Sequence, residues 1–227
     1  MKGRGQRSFA TLPTLAAKLY DRLTDTRAIA LQTQEIAHDL VGCCDHGRFL
    51  DIGSGPGKLL LEVHRLNPAV ELYGLDISSA MVQLAGEYLK GVKADMRCGD
   101  VQHSPYADDF FDCISCTGSF YLWDSPVQCV DEIFRILKPR HAACLYETHR
   151  DYDAQQLQQA LHENLQTENL LRRLISPIFL KHQLHLTYHQ TEVEEIIQQT
   201  RFSKSYKIER ITLAGLPVWL RIELARY

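Results

Sequence analysis

The sequence predicts an α/β protein built on a doubly wound, mostly parallel sheet of about seven strands. Short apolar runs alternate with helical segments from residue 48 to residue 150, a glycine-rich turn follows the first run, and two β-rich runs close the chain. Strands that alternate with helices through short connections lie parallel, with helices on both faces of the sheet. The closing pair of runs predicts an antiparallel hairpin at one edge.

A helical segment precedes the sheet and forms the predicted N-terminal cap, residues 1–47. Leucine and isoleucine recur at near-helical spacing between Leu15 and Val41, and no proline or glycine interrupts them. This spacing predicts one helix that ends near Gly42.

The sheet domain is predicted to span residues 48–227. Strands and helices are expected to alternate, except for a polar turn after the third strand, with Ser78 or Ser79 capping the second helix and Lys138-Pro139 ending the third. In chain order the predicted elements are RFLDIG, KLLLEVHRLNP, ELYGLDIS, SSAMVQLAGEYLKG, ADMRCGDV, FFDCISCTGSF, SPVQCVDEIFRILKP and HAACLYETH.

Residues 152–186 interrupt this alternation and are predicted to be a helical insertion after the fifth strand. A Gln-rich helix carries leucines along one stripe, and we expect Pro177 to break it. The helix TEVEEIIQQT follows, with Thr191 and Glu194 resembling a capping box. SYKIERITL and PVWLRIELARY then supply the hairpin.

Composition favours a protein that acts on small molecules in a reducing compartment. The net charge of −3 gives no overall attraction to nucleic acid, and no apolar run approaches the roughly 20 residues that a membrane span needs. The seven cysteines lie mostly in apolar surroundings. We expect a cytoplasmic protein without nucleic-acid or membrane partners, and the sequence leaves open whether it is a monomer or a homodimer.

Cys113 and Cys116 have the spacing of some metal and redox sites. In an extended strand, side chains three positions apart face opposite sides of the sheet, so the two thiols are not placed to share an ion. We expect both to be buried as small hydrophobic side chains, and we predict no metal site.

The turn FLDIGSGPG after the first strand limits the ligand that the sheet can hold. A dinucleotide-binding turn has its third glycine at the position of Lys58, and Pro56 removes an amide that would bind a pyrophosphate. The phosphate-binding pattern ending in Gly-Lys-Ser or Gly-Lys-Thr occurs nowhere in the chain. Asp51 suits a cationic ligand, and Asp76, 23 residues after Gly53, is placed to accept hydrogen bonds from a ribose diol. The sequence therefore predicts a ligand that has a ribose and no phosphate.

Five motifs follow one another in an order that points to one family. They are FLDIGSGPGKLL, LYGLDISSAM, MRCGDV, PYADDFFDCISCTGSF and RILKP. Together they resemble the successive motifs of class I S-adenosylmethionine-dependent methyltransferases, of the type 11 group, from about Phe49 to Glu147. The resemblance implies a Rossmann-like fold, S-adenosyl-L-methionine as cofactor, and methyl transfer to a small-molecule acceptor by in-line displacement.

The resemblance also assigns cofactor contacts to positions of this sequence. The glycine turn would bend around the methionine part with Asp51 near its amino group, Asp76 would hold both ribose hydroxyls, and Tyr20 would close over the cofactor. Asp100 would contact the adenine amino group, although an ordinary Gly-Asp turn is the alternative there. The implied cofactor-binding residues are Tyr20, Asp51, Gly53, Ser54, Gly55, Gly57, Asp76, Ile77, Met81, Gly99, Asp100, Val101, Thr117 and Gly118.

The candidate catalytic residues lie where the fourth and fifth strands end, the edge at which doubly wound sheets bind ligands. His149 is the first candidate for a general base and Glu147 the second, with support of the sheet edge as the alternative role of both. Tyr121, beside Trp123, is expected to form an aromatic wall of the acceptor pocket.

Three other functions stay open on the sequence. An RNA or protein methyltransferase is disfavoured because CTGSFYLW stands after the fourth strand in place of an Asn-Pro-Pro-Tyr type motif. A non-catalytic module that binds S-adenosylmethionine would form no product. A dehydrogenase would bind NAD instead.

Overall fold

The computed structural model describes residues 10–11, 13–166 and 168–227. Two helices, α1 (Thr14–Thr24) and α2 (Arg27–Cys43), stand where the leucine spacing predicted one. The prediction of a single helix is wrong because Thr26 is extended and caps α2, its side-chain oxygen accepting a hydrogen bond from the N–H of Ile29 at 3.3 Å. The two helices therefore present separate faces to the rest of the protein.

The sheet has seven strands in the order β3-β2-β1-β4-β5-β7-β6. The strands are β1 (Gly47–Ile52), β2 (Val70–Asp76), β3 (Ala94–Cys98), β4 (Phe111–Thr117), β5 (Leu137–Thr148), β6 (Tyr206–Leu213) and β7 (Leu216–Arg226). The five strands β1 to β5 are parallel, and β7 runs antiparallel to both β5 and β6. The predicted fold class is confirmed. The strand order reverses between β1 and β4, and ligands bind at the carboxyl ends of strands at such a point.

The remaining helices are α3 (Lys58–Leu66), α4 (Ser79–Tyr88), α5 (Pro126–Ile136), α6 (Ala154–Leu165), α7 (Leu170–Leu186) and α8 (Gln190–Gln198). Two 3₁₀ turns, Val101–His103 and Phe120–Leu122, follow β3 and β4. Ser78 caps α4 by accepting a hydrogen bond from the N–H of Met81, as predicted. No helix in the described ranges is both long and apolar enough to cross a bilayer.

Hydrophobic side chains are buried on both faces of the sheet. Cys116 packs with Ile133 of α5 on one face, whereas Cys113 packs with Leu60 of α3 and Ile36 of α2 on the other. Both thiols are 1% exposed, so the predicted burial on opposite faces is confirmed. The described residues contain no group of three His, Cys, Asp or Glu side chains that could hold a metal ion.

The insertion after β5 breaks at a different place from the one predicted. Pro177 lies inside α7, and the break falls between α6 and α7, where Asn169 accepts a hydrogen bond from the N–H of Arg172 at 3.0 Å. The capping box of α8 is formed by His189 and Glu192 rather than by Thr191 and Glu194. A side-chain cap therefore determined each helix start where the sequence pattern alone gave the wrong residue.

Candidate functional site

The glycine turn after β1 bends sharply and leaves open space above its centre. Gly53 and Gly55 have φ angles of 68° and 51°, a region that favours glycine. A Cβ atom at position 53 would lie 2.2 Å from Ser119 Oγ, whereas one at position 55 would meet no heavy atom within 4 Å. Gly53 is therefore required for packing, and the backbone at Gly55 borders space that a ligand can enter.

Gly57 and Ser54 complete the turn in different ways. Gly57 stands at the start of α3, where a Cβ atom would lie 2.9 Å from Leu89 Cδ1, and it does not line a cavity. Ser54 lines the cavity above the turn, and its buried hydroxyl has no hydrogen-bond partner in the described structure. Gly57 thus supports the turn, and Ser54 borders the ligand space.

Asp76 ends β2 beside this turn and holds the turn in place. Its carboxylate accepts hydrogen bonds from the N–H groups of Gly55 and Ser78, each at 2.8 Å. Burial raises the pKa of this carboxyl, and the two backbone hydrogen bonds act in the opposite direction. Since each carboxylate oxygen has two lone pairs, Asp76 keeps acceptor capacity toward the cavity that it lines.

Asp51 lies deeper than Asp76. Its Oδ1 accepts a hydrogen bond from Ser115 Oγ at 2.7 Å, and it is 3% exposed. Burial raises the pKa of Asp51 to about 7. Asp51 does not line the cavity, so a contact with the cofactor amino group would need an intervening water molecule.

A cavity of about 410 Å³ opens above the turn, between the carboxyl ends of the strands and the helices α1, α2, α6 and α7. Its lining brings together most of the predicted site residues. The predicted residues that line it are Tyr20, Gly53, Ser54, Gly55, Asp76, Ile77, Met81, Gly99, Val101, Thr117, Gly118 and Tyr121. The predicted residues outside the lining are Asp51, Gly57, Asp100, Glu147 and His149.

Asp100 begins the 3₁₀ turn after β3 and is engaged within it. Its Oδ1 accepts a hydrogen bond from the N–H of Gln102 at 2.9 Å. Its neighbours Gly99 and Val101 line the cavity, whereas Asp100 does not. The capping contact is the one expected of an ordinary turn, the alternative that the sequence left open.

Glu147 near the end of β5 and His149 just after it do not line the cavity. Thr148, between them, lines the cavity, and neighbouring side chains of a strand point to opposite faces. Burial raises the pKa of Glu147 to about 7, and Glu147 Oε2 accepts a hydrogen bond from the N–H of Tyr121 at 3.2 Å. His149 Nδ1 accepts a hydrogen bond from the N–H of Asp151 at 3.1 Å. Neither side chain lines the cavity, and the role of either one as a base stays a prediction.

Helix α7 covers the cavity from the side opposite the sheet. Phe179 meets the ring of Tyr20 edge-on at 5.6 Å, and Gln183 Nε2 comes within 3.9 Å of the position that a Cβ atom would take at Gly118. α7 therefore reaches from α1 to the end of β4.

The cavity lining also includes a largely apolar group of residues that were not identified from the sequence. They come from segments distant in the chain, and spacing carries no signal that brings them together. These residues are Ile29, Gln32 and Ile36 of α2, Leu161 and Leu165 of α6, Ile175, Ser176 and Leu180 of α7, and Leu216 and Trp219 of β7. We call them the apolar lobe.

The comparisons with known proteins agree with this geometry. Residues 50–145 match a family model described as a methyltransferase domain. The methyltransferase YdaC of Bacillus subtilis (strain 168) is 28% identical over 105 residues, 46% of this chain and 58% of its own length. A demethylmenaquinone methyltransferase of Deinococcus radiodurans is 30% identical over 102 residues, 44% of this chain and 42% of its own length. The matches thus span about half the length of these relatives.

Solved structures resemble the whole chain in fold. A SAM-dependent methyltransferase from Aquifex aeolicus superposes with a TM-score of 0.66 at 16% identity, covering 94% of this chain and 99% of its own. The plantazolicin methyltransferase BpumL, solved in complex with SAH, gives a TM-score of 0.69 at 16% identity, covering 98% and 94%. The family match covers residues 50–145, which therefore resemble a methyltransferase domain, and the chain as a whole shares the fold of solved S-adenosylmethionine-dependent methyltransferases.

Proposed function

We propose that the protein transfers the methyl group of S-adenosylmethionine to a small, uncharged acceptor with a largely apolar body. The observation that carries this proposal is one continuous cavity, in which the glycine turn and Asp76 adjoin the apolar lobe. The turn side of this cavity suits the nucleoside and amino-acid parts of the cofactor. The lobe suits the acceptor, next to the place where the methyl group would lie.

The residues at the turn fit this cofactor. Gly55 borders open space, Asp76 has acceptor capacity for a ribose diol, and the hydroxyl of Thr117 is buried without a hydrogen-bond partner in the described ranges. Ile77 and Met81 offer apolar contact to a base. When bound, the cofactor supplies an already activated methyl group, so the protein's part is to bind, to align the acceptor and to exclude water.

The charged side chains that line the cavity support an uncharged acceptor. Besides Asp76 they are Asp21, Lys58 and Glu168 among the residues described. Lys58 Nζ lies 2.8 Å from Asp21 and 3.0 Å from Asp25. Glu168 accepts hydrogen bonds from the N–H of Arg27 and from Arg172. Each of these charges is already paired, and a charged acceptor would enter the lobe without a counter-charge, which is costly.

The lining also limits how the acceptor loses a proton. No histidine or cysteine lines the described part of the cavity, and Asp76 lies at the turn, where the ribose would bind. Burial raises the pKa of both Tyr20 and Tyr121, so these phenols stay neutral. The proposed reaction therefore suits a neutral acceptor atom that can release its proton to water after the methyl group is transferred.

Product formation tests this function. The protein is incubated with S-adenosylmethionine and a panel of neutral phenols, thiols and activated ring carbons, and methylated product is detected by mass spectrometry. Binding of S-adenosylmethionine and of adenosylhomocysteine is measured separately by calorimetry. We expect both ligands to bind and at least one neutral acceptor to be methylated. Binding without product from any panel member would favour a non-catalytic module, and binding of NAD in place of both ligands would exclude the proposal.

Trp219 is expected to orient the acceptor through its ring N–H. Nε1 is a donor only, it is buried without a partner among the described residues, and Trp219 lines the apolar lobe. A phenylalanine keeps most of the ring and removes this donor. Since a hydrogen bond contributes about 0.5–1.5 kcal/mol, Trp219→Phe should raise the KM of an acceptor with a hydrogen-bond-accepting group about three- to tenfold.

The control for Trp219→Phe is an acceptor of the same shape that lacks the hydrogen-bond-accepting group. Wild-type and variant proteins should then give the same KM, and cofactor affinity should not change. The melting temperature should not fall, because the N–H has no partner to lose in the described structure. An equal effect of the substitution on both acceptors would assign Trp219 to packing alone.

A further inference from the structure

Helix α7 exposes a row of large apolar side chains to solvent. Leu170 is 73% exposed, Leu171 58%, Leu174 62% and Ile178 70%. Their positions, spaced over the first three turns of the helix, place them on one side of it. Single exposed apolar residues are ordinary on protein surfaces, whereas a contiguous patch marks an interaction site.

This row is separate from the face of α7 that lines the cavity. Ile175, Ser176 and Leu180 belong to that inner face. α7 is therefore apolar toward the cavity and also toward solvent. A helix that is apolar on both sides is expected to be covered on both sides.

Helix α1 extends the exposed row. Leu15 is 82% exposed and Leu19 is 57% exposed. α1 and α7 are in contact, because Phe179 packs on Tyr20 and Arg172 Nη2 donates a hydrogen bond to the carbonyl oxygen of Arg22 at 3.4 Å. We call the exposed side chains Leu15, Leu19, Leu170, Leu171, Leu174 and Ile178 the α1–α7 surface.

The charges on these two helices are mostly positive, although the whole chain has a net charge of −3. α7 contains Arg172, Arg173 and Lys181 and no acidic residue. α1 contains Lys18, Arg22 and one acidic residue, Asp21, which is buried and paired with Lys58. Arg22, Arg173 and Lys181 are exposed, and they form no ion pair with another described residue. Leucines with unpaired cations around them are the composition of a helix that lies in a membrane interface.

We propose that the α1–α7 surface docks on an anionic lipid bilayer. Its leucine and isoleucine side chains enter the boundary between headgroups and acyl chains, while Arg22, Arg173 and Lys181 meet lipid phosphates. Self-association through the same surface is disfavoured, because a two-fold contact would bring these cations against their own copies. The expectation of no membrane partner rested on the lack of a spanning segment, and a helix that lies in the interface needs none.

Docking would also place the helix that covers the cavity against the lipid. This consequence rests on the proposed function: an apolar acceptor dissolved in a bilayer would enter the apolar lobe beside α7. The docking itself does not depend on methyl transfer, so binding to lipid and formation of product can fail independently.

Flotation with vesicles tests the docking. The full-length protein is mixed with vesicles of phosphatidylcholine, with or without phosphatidylglycerol, and the bound fraction is measured. We expect binding to the anionic vesicles that weakens with added salt. Leu171→Ser combined with Leu174→Ser should weaken it about tenfold or more. Arg173→Glu and Lys181→Glu should each weaken it by about fivefold or more, since each cation near an anionic surface contributes comparably.

Leu66→Ser is the matched control, because Leu66 is an exposed leucine on α3 and is not part of the α1–α7 surface. It should leave vesicle binding unchanged. Melting temperatures and adenosylhomocysteine affinity should equal those of wild type in all variants, which shows that the fold is intact. Docking is overturned if wild type does not float with anionic vesicles. It is also overturned if sedimentation without lipid shows a dimer that Leu171→Ser and Leu174→Ser dissociate.

Discussion

Replacing Asp76 with alanine should lower the affinity for S-adenosylmethionine by about a hundredfold or more, because hydrogen bonds to a charged group contribute about 1.5–3 kcal/mol each and a ribose diol would make two. The same change removes the acceptor of the Gly55 and Ser78 N–H groups. The glycine turn would then lose a contact that fixes its position, which adds to the loss. Calorimetry with S-adenosylmethionine and with adenosylhomocysteine measures the effect.

Asp95→Ala is the control for this prediction. Asp95 is a half-exposed carboxylate on β3 that pairs with Arg97 at 2.7 Å, and it does not line the cavity. Its removal should leave cofactor affinity unchanged. Asp76→Asn keeps an oxygen that can accept one of the two backbone hydrogen bonds, so it should bind the cofactor better than Asp76→Ala. A folded Asp76→Ala protein with wild-type affinity would show that the ribose is held elsewhere.

The residues at the glycine turn could be predicted because they follow the strands directly. The parallel register brings the ends of β1, β2 and β4 to one edge, so Gly53, Asp76 and Thr117 meet there although they are far apart in the chain. The parallel sheet is predicted from the alternation of apolar runs and helices, and the closing hairpin from the two β-rich runs at the end of the chain. The positions of these residues in the site therefore follow from their places at the ends of predicted strands.

The acceptor side could not be predicted, because it depends on how α2, α6, α7 and β7 pack around it. Trp219 and Ser176 share the apolar lobe through tertiary contacts that leave no spacing signal. The position of His149 outside the cavity lining has a different cause. Side chains alternate at the end of β5, so Thr148 lines the cavity whereas Glu147 and His149 on either side of it do not.

Raising the pH from about 4 to about 7 should destabilise the cofactor-free protein through Asp51. Burial raises the pKa of Asp51 from its ordinary value of 3.8 to about 7. Between these values the folded protein holds a proton on Asp51 that the unfolded chain has released, so the free energy of unfolding falls as the pH rises. Below this window both states are protonated, and above it the folded state carries the full cost of a buried charge. Glu147, whose pKa is raised to about 7, acts in the same direction.

Asp51→Asn isolates this contribution, because the amide oxygen can still accept the hydrogen bond from Ser115. The variant should match wild type near pH 4 and exceed its free energy of unfolding by on the order of 4 kcal/mol above pH 7, since each pKa unit corresponds to about 1.36 kcal/mol. Urea unfolding at a series of pH values measures the difference. Burial raises the pKa of Asp112, but the hydrogen bonds from Lys138 and from the N–H of Arg48 together lower it by more, so the net pKa is lowered. Asp112→Asn should therefore be less stable than wild type near pH 7, and this difference should disappear as the pH falls. A constant difference between wild type and Asp51→Asn from pH 4 to pH 8 would mean that Asp51 is ionised throughout, and that the region below the glycine turn is more polar than its burial indicates.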